Sequence, residues 1–363
     1  MSKRIAIAID SLAGGGAEKV MLTLAKAFLE LGHEPHLLVM HDNCSYEIPD
    51  GLKVHFCFDK HERNIDGFWC LKKSTKKLQQ WIEQLQQKIG SFDLFLSNLD
   101  KTNLLMTRVG VSPLYCVVHN SIEEELKRQL KLGPFAYINM WRAKNALNGQ
   151  HLITVSKGIE QEILNGHRIS PASIRTIYNP FDFEEIIALS KEDVVDIPQV
   201  DYFIHVGRFA KQKRHDVLFK ALKLTENKLP LVLLCHNQKK ALKAVKKYGL
   251  EDRIILPGFQ KNPFPWIKHA KALVLSSDFE GLPTVLIESL ACGTPVVSTD
   301  CPHGPSEILT GDLAAYLVAR RDAKALAQMI DAVVKCPPSL EQAEILAEVD
   351  VTRIAEQYLS LAK

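Results

Sequence analysis

The sequence predicts an α/β protein built from two doubly wound domains that face each other across a cleft. Apolar runs of strand length alternate with segments of helical spacing along the 363 residues, a pattern typical of strands buried in a parallel sheet. The alternation pauses at a polar stretch after Asn179–Pro180 and then restarts. Because this length fits two domains, we expect one domain over 1–178 and a second over 179–350.

Individual elements follow from the same pattern. In the first half, a Gly-rich break at 11–16 separates a strand from a helix, and the predicted elements are strands Ile5–Ile9, Pro35–Met40, Phe92–Ser97, Leu114–His119 and Leu152–Ser156 and helix Glu18–Leu31. The second half predicts strands Tyr202–Val206, Leu231–Cys235, Arg253–Leu256, Ala272–Ser276, Pro295–Thr299 and Ala315–Val318, and helices Val217–Leu224, Lys239–Tyr248, Asn262–His269, Pro283–Ala291 and Ala323–Val334. The last segment, 351–363, predicts a helix. It could belong to the second domain, or it could pack back on the first.

Composition excludes several classes of protein. A net charge of +3 is too small to indicate nucleic acid as a partner. The eight cysteines form no CxxC pair and several lie in apolar runs, which favours a reducing compartment. The first apolar run, Ile5–Ile9, is too short for a signal peptide or a membrane span, so we expect a cytoplasmic protein.

A Gly-rich loop, Ala13–Glu18, follows the first strand and opens a helix, which is where phosphates dock in such folds. It is neither GxGxxG nor a P-loop. A tight turn before a helix would explain Gly14, Gly15 and Gly16 equally well.

A cationic loop follows the first strand of the second half. Gly207 and Arg208 precede Lys211, Lys213 and Arg214, and these four cations would repel one another unless an anion such as a diphosphate lay between them. The alternative is a solvated surface loop. Position favours function for Arg208 and Lys213 and solvation for Lys211 and Arg214.

Two carboxylates mark a helix that is otherwise apolar. Glu280 precedes Pro283, which suits a first helical position, and Glu288 lies inside the helix that ends before Gly293. A buried carboxylate needs hydrogen-bond donors. Sugar hydroxyls and an internal ion pair both satisfy that requirement for Glu288.

Polar residues follow two strands of the first half. His119 ends one strand, and Asp100, Thr102 and Asn103 follow another. For a lone histidine, a satisfied structural role is the usual alternative to a crevice contact. No D-x-D and no His/Cys cluster has metal-ligand spacing, so we expect no metal, with Arg and Lys neutralising a leaving diphosphate.

These motifs together resemble one family. Gly15-Gly16-Ala17-Glu18-Lys19, Asn179-Pro180, Gly207-Arg208 with Lys213, Glu280-x7-Glu288 and 301–309 (CPHGPSEIL) are similar in order and spacing to family 4 retaining glycosyltransferases of the GT-B fold. The segment EGLPTVLIESLACGTPVVSTD is the most specific part. The relatives that it most resembles build bacterial lipopolysaccharide and other surface glycans.

The resemblance implies a hexosyltransferase that moves a hexose or N-acetylhexosamine from a UDP-sugar, with no cofactor, to a glycan or lipid-linked acceptor. It implies that Arg208 and Lys213 bind the donor diphosphate, that Glu280 with the backbone of Gly281, Leu282, Pro283 and Thr284 holds the donor sugar, and that Glu288 binds ribose hydroxyls. Gly15, Gly16 and Gly207 would admit the phosphates, and His119 would contact the sugar near the reacting carbon. Asp100, Asn103 and Glu18 are weaker acceptor candidates. At 214, this chain has Arg where many relatives have Gly.

Three alternatives stay open from the sequence: a UDP-sugar 2-epimerase of the same fold, an NAD-dependent enzyme, and an inactive sugar-nucleotide-binding subunit. The absence of GxGxxG disfavours the second. Basic segments Lys72–Lys77 and Lys127–Lys131 lie near Trp69, Trp81, Phe135 and Trp141. They suggest that the first domain rests on an anionic membrane at the cytoplasmic face, with a solvated Lys-rich surface as the alternative.

Overall fold

A computed structural model describes residues 2–13, 15–59, 61–62, 64–340 and 343–362. The chain forms two compact units: Met1–Phe181 with Val349–Lys363, and Asp182–Glu348. These boundaries lie close to 178/179 and 350/351, where the sequence places them. In the described part of the chain, no helix combines the length and apolar character needed to cross a bilayer.

The first unit is built on a seven-stranded parallel sheet in the order β3-β2-β1-β4-β5-β6-β7. Its strands are β1 Arg4–Ile9, β2 Glu34–His41, β3 Lys53–Phe58, β4 Leu94–Asn98, β5 Leu114–Val118, β6 His151–Thr154 and β7 Ser173–Thr176. The central strands β1, β4 and β5 are buried along most of their length. From β1 the chain first adds strands on one side of the sheet, β2 and β3, and then on the other, beginning with β4. The gap between β1 and β4 is therefore the switch point, where loops form the ligand crevice of this fold.

Helices connect these strands: α1 Gly16–Glu30, α2 Leu71–Ile89, α3 Asp100–Val109, α4 Ile122–Leu130, α5 Pro134–Asn145 and α6 Lys157–Gly166. A last helix, which we number α15 (Val351–Leu359), returns to this unit and packs on α1. Phe181 N–H donates to the Val349 carbonyl at 2.9 Å, and Val351 N–H donates to the Phe181 carbonyl at 3.1 Å. These bonds join the segment that returns to the first unit at Val349 to Phe181, the last residue before the chain enters the second unit.

The second unit repeats the plan with a six-stranded parallel sheet in the order β10-β9-β8-β11-β12-β13. In chain order its elements are α7 Phe183–Leu189, β8 Phe203–Val206, α8 His215–Leu224, β9 Leu231–Leu234, α9 Gln238–Tyr248, β10 Ile254–Ile255, α10 Phe264–Lys268, β11 Ala272–Leu275, α11 Thr284–Ala291, β12 Val296–Asp300, α12 Pro305–Ile308, β13 Leu317–Ala319, α13 Ala323–Lys335 and α14 Ile345–Glu348. The switch point lies between β8 and β11. Two doubly wound sheets confirm the predicted α/β class.

Strands that are buried on both faces were predicted best. Strand β3 and helices α2 to α6 were not assigned, and most of the residues of β3, α2 and α4 are not buried, so these elements lack continuous apolar runs. Helix α2, for example, buries only Ser74, Thr75, Leu78 and Ile82 of its nineteen residues. Helix α11 begins at Thr284, and Pro283 is the residue before it rather than the first helical residue.

Candidate active site

Two loops meet at the switch point of the second sheet. The loop after β8 and the loop after β11 are joined by Asp278 N–H, which donates to the Gln212 carbonyl at 2.8 Å, and by Gln212 Nε2, which donates to the Phe279 carbonyl at 2.7 Å. Ser276 Oγ adds a bond to the Lys213 carbonyl at 2.7 Å. The sequence-predicted cationic loop and the glutamate-bearing loop are therefore one structural unit.

Lys213 and Glu280 form an ion pair at the centre of these loops. Lys213 Nζ lies 2.7 Å from Glu280 Oε1, and the two side chains are only 16% and 9% exposed. Glu280 N–H donates to the Pro302 carbonyl at 2.7 Å, and His303 N–H donates to the Glu280 carbonyl at 3.1 Å. The segment after β12 thus holds the glutamate in place, and the structure brings together two predicted site residues from separate loops.

Arg208 stands apart from this pair. Its side chain is exposed, and its guanidinium makes no hydrogen bond or ion pair with any residue that the structure describes. A Cβ on the neighbouring Gly207 would lie 3.4 Å from Lys213 Cε and 3.5 Å from His205 Nε2. Gly207 therefore leaves room for the Lys213 stem, and Arg208 is a cation available to a ligand at the same loop.

Arg214 is structural, and the expectation that it is merely solvated is wrong. It adopts φ +48° and ψ +47°, the left-handed region that favours glycine. Its guanidinium binds Asp216 at 2.8 Å and Asp278 at 3.1 Å. The Asp216 hydrogen bond above all raises the pKa of Arg214. The left-handed backbone at Arg214 is thus accompanied by ion pairs to two carboxylates.

Asp278 is shared by a further arginine that sequence reasoning missed. Arg321 Nε and a terminal guanidinium nitrogen lie 2.9 and 3.0 Å from the Asp278 carboxylate, and Arg320 donates to the Asp278 carbonyl at 2.8 Å. Burial alone would raise the pKa of Asp278, but the bonds from Arg321 and Arg214 hold it below its usual value. No motif surrounds Arg320 or Arg321, so only the fold could reveal them.

Helix α11 carries the second glutamate. Gly281, Leu282, Pro283 and Glu288 are buried, as the apolar pattern predicted, and Thr284 is half-buried. No side chain caps the helix N-terminus, whose first N–H groups have no partner inside the helix. Gly304 lies against this loop: a Cβ there would be 2.6 Å from Pro283 Cδ and 2.9 Å from the Gly281 carbonyl oxygen.

A second group of predicted residues lines a pocket in the first unit. Asp100, Asn103 and His119 line one depression at the carboxyl ends of β4 and β5, together with Leu99, Val117, Val118, Asn120, Glu125, Lys144 and Leu147. The sequence identified three of its polar side chains and missed Glu125 and Lys144, which lie on α4 and α5.

His119 has a defined hydrogen bond in this pocket. Its Nε2 lies 3.0 Å from Asn98 Oδ1, while Asn98 Nδ2 donates to the Ala8 carbonyl at 3.2 Å. Since the Asn98 oxygen can only accept, His119 Nε2 carries the proton. Burial lowers the pKa of His119 to about 4. The imidazole is therefore neutral near pH 7, and Nδ1 keeps a lone pair that can accept a hydrogen bond.

Lys144 supplies a buried positive charge to the first unit's pocket. It is 3% exposed, and its Nζ lies 2.6 Å from Asp100 Oδ1 and 2.7 Å from Glu125 Oε2. Burial opposes its charge, but Asp100 and Glu125 more than offset that effect and raise the pKa of Lys144. The ion pair with Lys144 thus holds the Asp100 carboxylate in place at the pocket. The contact between Asp100 and an acceptor stays a prediction.

The first Gly-rich loop has its own organisation. Gly15 N–H and Ser11 Oγ both donate to the Glu18 carboxylate, the latter at 2.8 Å, which fastens the start of α1. A Cβ on Gly15 would lie 3.1 Å from Glu18 Oε2, whereas Gly16 has open space. Gly14 lies outside the described residues. Glu18 does not line the pocket of Asp100 and His119, and its acceptor contact stays a prediction.

Asp10 connects the two loops at the first sheet's switch point. Its carboxylate accepts hydrogen bonds from Thr102 N–H, at 2.9 Å, and from Thr102 Oγ1. Burial raises the pKa of Asp10 to about 6 despite those bonds. Across the described residues, no group of three or more His, Cys, Asp or Glu side chains is placed to hold a metal ion.

Comparisons with known proteins agree with this architecture. The model of Glycosyltransferase Family 4 matches residues 14–185, and that of Glycosyl transferases group 1 matches 191–348. The chain is 32% identical to N-acetylgalactosamine-N,N'-diacetylbacillosaminyl-diphospho-undecaprenol 4-alpha-N-acetylgalactosaminyltransferase of Campylobacter jejuni, over 87% of this chain and 86% of that protein. It is 28% identical to lipopolysaccharide 1,6-galactosyltransferase of Escherichia coli K12, over 99% and 97%.

Solved structures share the fold. A crystal structure of HepE from Anabaena in complex with UDP and glucose superposes with a TM-score of 0.71 at 18% identity, covering 99% of this chain and 97% of that one. With its two Rossmann-like sheets, the protein is a glycosyltransferase of the GT-B type. The chain belongs to the glycosyltransferase family that the group 1 and family 4 models describe.

Proposed function

We propose that the protein is a retaining transferase that moves a hexose or N-acetylhexosamine from a UDP-sugar to a glycan or lipid-linked acceptor, in the synthesis of lipopolysaccharide or another surface polysaccharide. The names of the two relatives support this acceptor class. The observation that carries the proposal is the buried Lys213–Glu280 pair beside the exposed Arg208 at the switch point of the second sheet.

In this proposal, Arg208 and Lys213 neutralise the diphosphate as it leaves. A diphosphate gains from cations that are already in position, because no reorganisation is then needed as charge develops. Glu280, freed in part from Lys213 by the incoming phosphate, accepts hydrogen bonds from sugar hydroxyls. The uncapped N-terminus of α11 favours negative charge nearby, and Glu288 binds the ribose hydroxyls.

Retention of configuration would follow from attack on the face that the nucleotide leaves. The bond from the anomeric carbon to the phosphate oxygen breaks as the acceptor oxygen bonds to that carbon, and the acceptor's proton passes to the departing phosphate oxygen. No protein nucleophile is required, and positioning supplies much of the acceleration. The neutral His119 would accept a hydrogen bond at Nδ1 from a sugar hydroxyl.

The base of the nucleotide has a candidate platform in the second unit. His236 and Phe259 follow β9 and β10, and their rings stack at 3.9 Å between centroids with 15° between planes. Phe259 is 55% exposed. Base stacking on an aromatic face contributes roughly 1–3 kcal/mol, so we propose that the uracil stacks on this pair.

A donor panel tests the proposal. Thermal unfolding is measured with UDP-, GDP- and ADP-sugars, because a ligand that binds only the folded state raises the unfolding temperature. We expect UDP-sugars to give the largest shift. The active donor is then incubated with a polyprenyl-diphosphate-linked sugar, and the product's anomeric configuration is determined by NMR.

Retained configuration supports the mechanism, and inversion contradicts it. Donor incubated alone is the control, since a 2-epimerase would convert it without acceptor. Preference for a GDP- or ADP-sugar would overturn the assignment of UDP. Unchanged turnover after chelation of divalent cations is expected, because we assign neutralisation of the diphosphate to Arg208 and Lys213.

We also propose that the first unit binds an anionic membrane at the cytoplasmic face. Trp69 and Phe135 are 90% and 83% exposed. Arg142 lies over the Phe68 ring at 5.3 Å, and that ring contacts Trp69, so a basic and two aromatic side chains meet there. Trp81 does not belong to it, because its half-buried ring contacts His55. All eight cysteines are free thiols, which suits a reducing compartment.

Liposome flotation decides this point. The intact protein should float with vesicles that contain anionic lipid and stay behind with neutral ones, and Trp69→Ala with Phe135→Ala should weaken flotation. Val195→Ala, at an equally exposed apolar position of the second unit, is the matched control. Equal flotation with neutral vesicles would contradict electrostatic binding.

A further inference from the structure

The second unit contains a cavity of about 390 Å³ between α8 and α9, which the proposed transfer reaction does not use. Phe209, Phe219 and Tyr248 supply aromatic walls, with Ala244 and His215 between them. Lys213, Arg208 and Glu280 are not among its lining residues. The cavity lies beside the same loop as the proposed phosphate-binding residues, but it is formed by different side chains.

The inside of this cavity is apolar. Its aromatic side chains contact one another through His215: the Phe209 and His215 rings are 4.2 Å apart, and the His215 and Phe219 rings are 6.2 Å apart. His215 is buried, and its Nε2 has no hydrogen-bond partner among the described residues. Burial lowers the pKa of His215 strongly, so this side chain is a neutral ring in the wall.

The rim, in contrast, is cationic. Lys211, Arg214, Lys240 and Lys247 line it, and Asp216 is the single carboxylate among the lining residues. Arg214 is already paired with Asp216. Lys240 Nζ stands 6.0 Å from the centroid of the Phe209 ring, which places an ammonium directly at the boundary between the aromatic wall and solvent. The rim therefore keeps an excess of positive charge.

We propose that this cavity binds an amphipathic phosphate, with a hydrocarbon chain between α8 and α9 and the phosphate at Lys240, Lys247 and Lys211. An apolar interior under a cationic rim matches that class of ligand. A nucleobase fits less well, because its polar edge atoms would be buried with almost no partners. The site requires neither the donor nor the acceptor that we assign to the transfer reaction.

Isothermal titration calorimetry of the intact protein with decyl phosphate, below its micelle concentration, tests this proposal. We expect saturable binding at one site per chain. Inorganic phosphate, which lacks the chain, and decanol, which lacks the charge, should each bind at least about tenfold more weakly, a loss of roughly 1.4 kcal/mol or more. Equal affinity for decanol or for inorganic phosphate would overturn the proposal.

Variants locate the binding site. Ala244→Phe fills the cavity and should weaken binding of decyl phosphate about tenfold or more. The double variant Lys240→Gln/Lys247→Gln removes two positive charges from the rim, keeps the aromatic side chains, and should weaken binding by a similar factor. Lys243→Gln is the matched control, since Lys243 is exposed on the same helix but does not line the cavity. Trp69→Ala, in the first unit, should also leave binding unchanged.

Circular dichroism establishes whether each variant is folded. If Ala244→Phe does not fold, the Lys240→Gln/Lys247→Gln variant still tests the proposal. If Lys243→Gln weakens binding as much as the Lys240/Lys247 pair, the attraction is a general effect of the basic helix and the proposal fails. It also fails if the folded Ala244→Phe variant binds decyl phosphate as tightly as the parent.

Discussion

Lys144 in the first unit and Lys213 in the second are both enclosed, but their surroundings differ. Lys144 contacts two carboxylates, Asp100 and Glu125, so its positive charge is fully met inside the protein. Lys213 contacts one, Glu280, and lies in the same loop as the exposed Arg208. The first network is complete without a ligand, whereas the second retains positive charge that an anion can satisfy.

Because of this difference, removing a cation should affect mainly stability in the first unit and mainly activity in the second. Removing a buried cation from a complete network leaves uncompensated carboxylates and destabilises the fold. Removing an exposed cation that faces a ligand leaves the fold intact and weakens binding of the transition state. The two regions therefore predict opposite signatures for substitutions that both delete a positive charge.

The largest effect is expected for Lys144→Met. The substitution strands Asp100 and Glu125 beside each other without a cation, and breaking such a buried pair costs about 3–5 kcal/mol. Chemical denaturation should show this loss. Lys144→Met combined with Glu125→Gln should recover part of it, and a Lys144→Met variant as stable as the parent would show that the network contributes nothing.

Arg208→Ala should leave stability unchanged within about 0.5 kcal/mol while it abolishes most transfer. A lost charge-stabilising group costs roughly 10²–10³ in turnover. Glu280→Ala should likewise abolish most transfer. Lys211→Ala, an exposed cation of the same loop, is the control. Near-normal turnover of Arg208→Ala and Glu280→Ala would contradict the assignment of the site.

Asp10 sharpens the comparison through pH. Its folded pKa of about 6 lies above the 3.8 of an unperturbed aspartate, so the folded state binds the proton more tightly than the unfolded one. Its contribution to stability is therefore largest at acid pH and falls as pH rises from about 4 to 6, by up to ~1.4 kcal/mol per pH unit. The free energy of unfolding of the parent minus that of Asp10→Asn should decline across this window. A difference that stays constant with pH would contradict the raised pKa.

The smallest effect concerns Arg214. Both Arg214→Ala and Arg214→Gly lose the pairs with Asp216 and Asp278, but only alanine keeps a side chain in the left-handed conformation, which costs about 1–2 kcal/mol. The glycine variant should therefore be the more stable of the two by about 1 kcal/mol. Equal unfolding midpoints would show that the backbone relaxes at this position.

How far the sequence predicted this molecule depended on burial. Strands such as Ile5–Ile9 and Ala272–Ser276 were placed within one or two residues, since continuous apolar runs have few alternative structures. Glu280, Lys213 and Arg208 were predicted because each lies in a loop between a strand and a helix. Lys144, Arg321 and His236 were not, because their partners lie far away in the chain and only the folded sheets bring them together.

The return of α15 to the first unit bears on how the protein is made. Lys3 Nζ, before the first strand, donates to the Leu359 and Ala362 carbonyls at 3.3 and 3.1 Å. During synthesis, Leu359 and Ala362 are made only after 182–348, so these contacts cannot form before the second unit has been synthesised. Completion of the first unit therefore waits for synthesis of the second, and until then the surface of α1 that receives α15 is open to solvent.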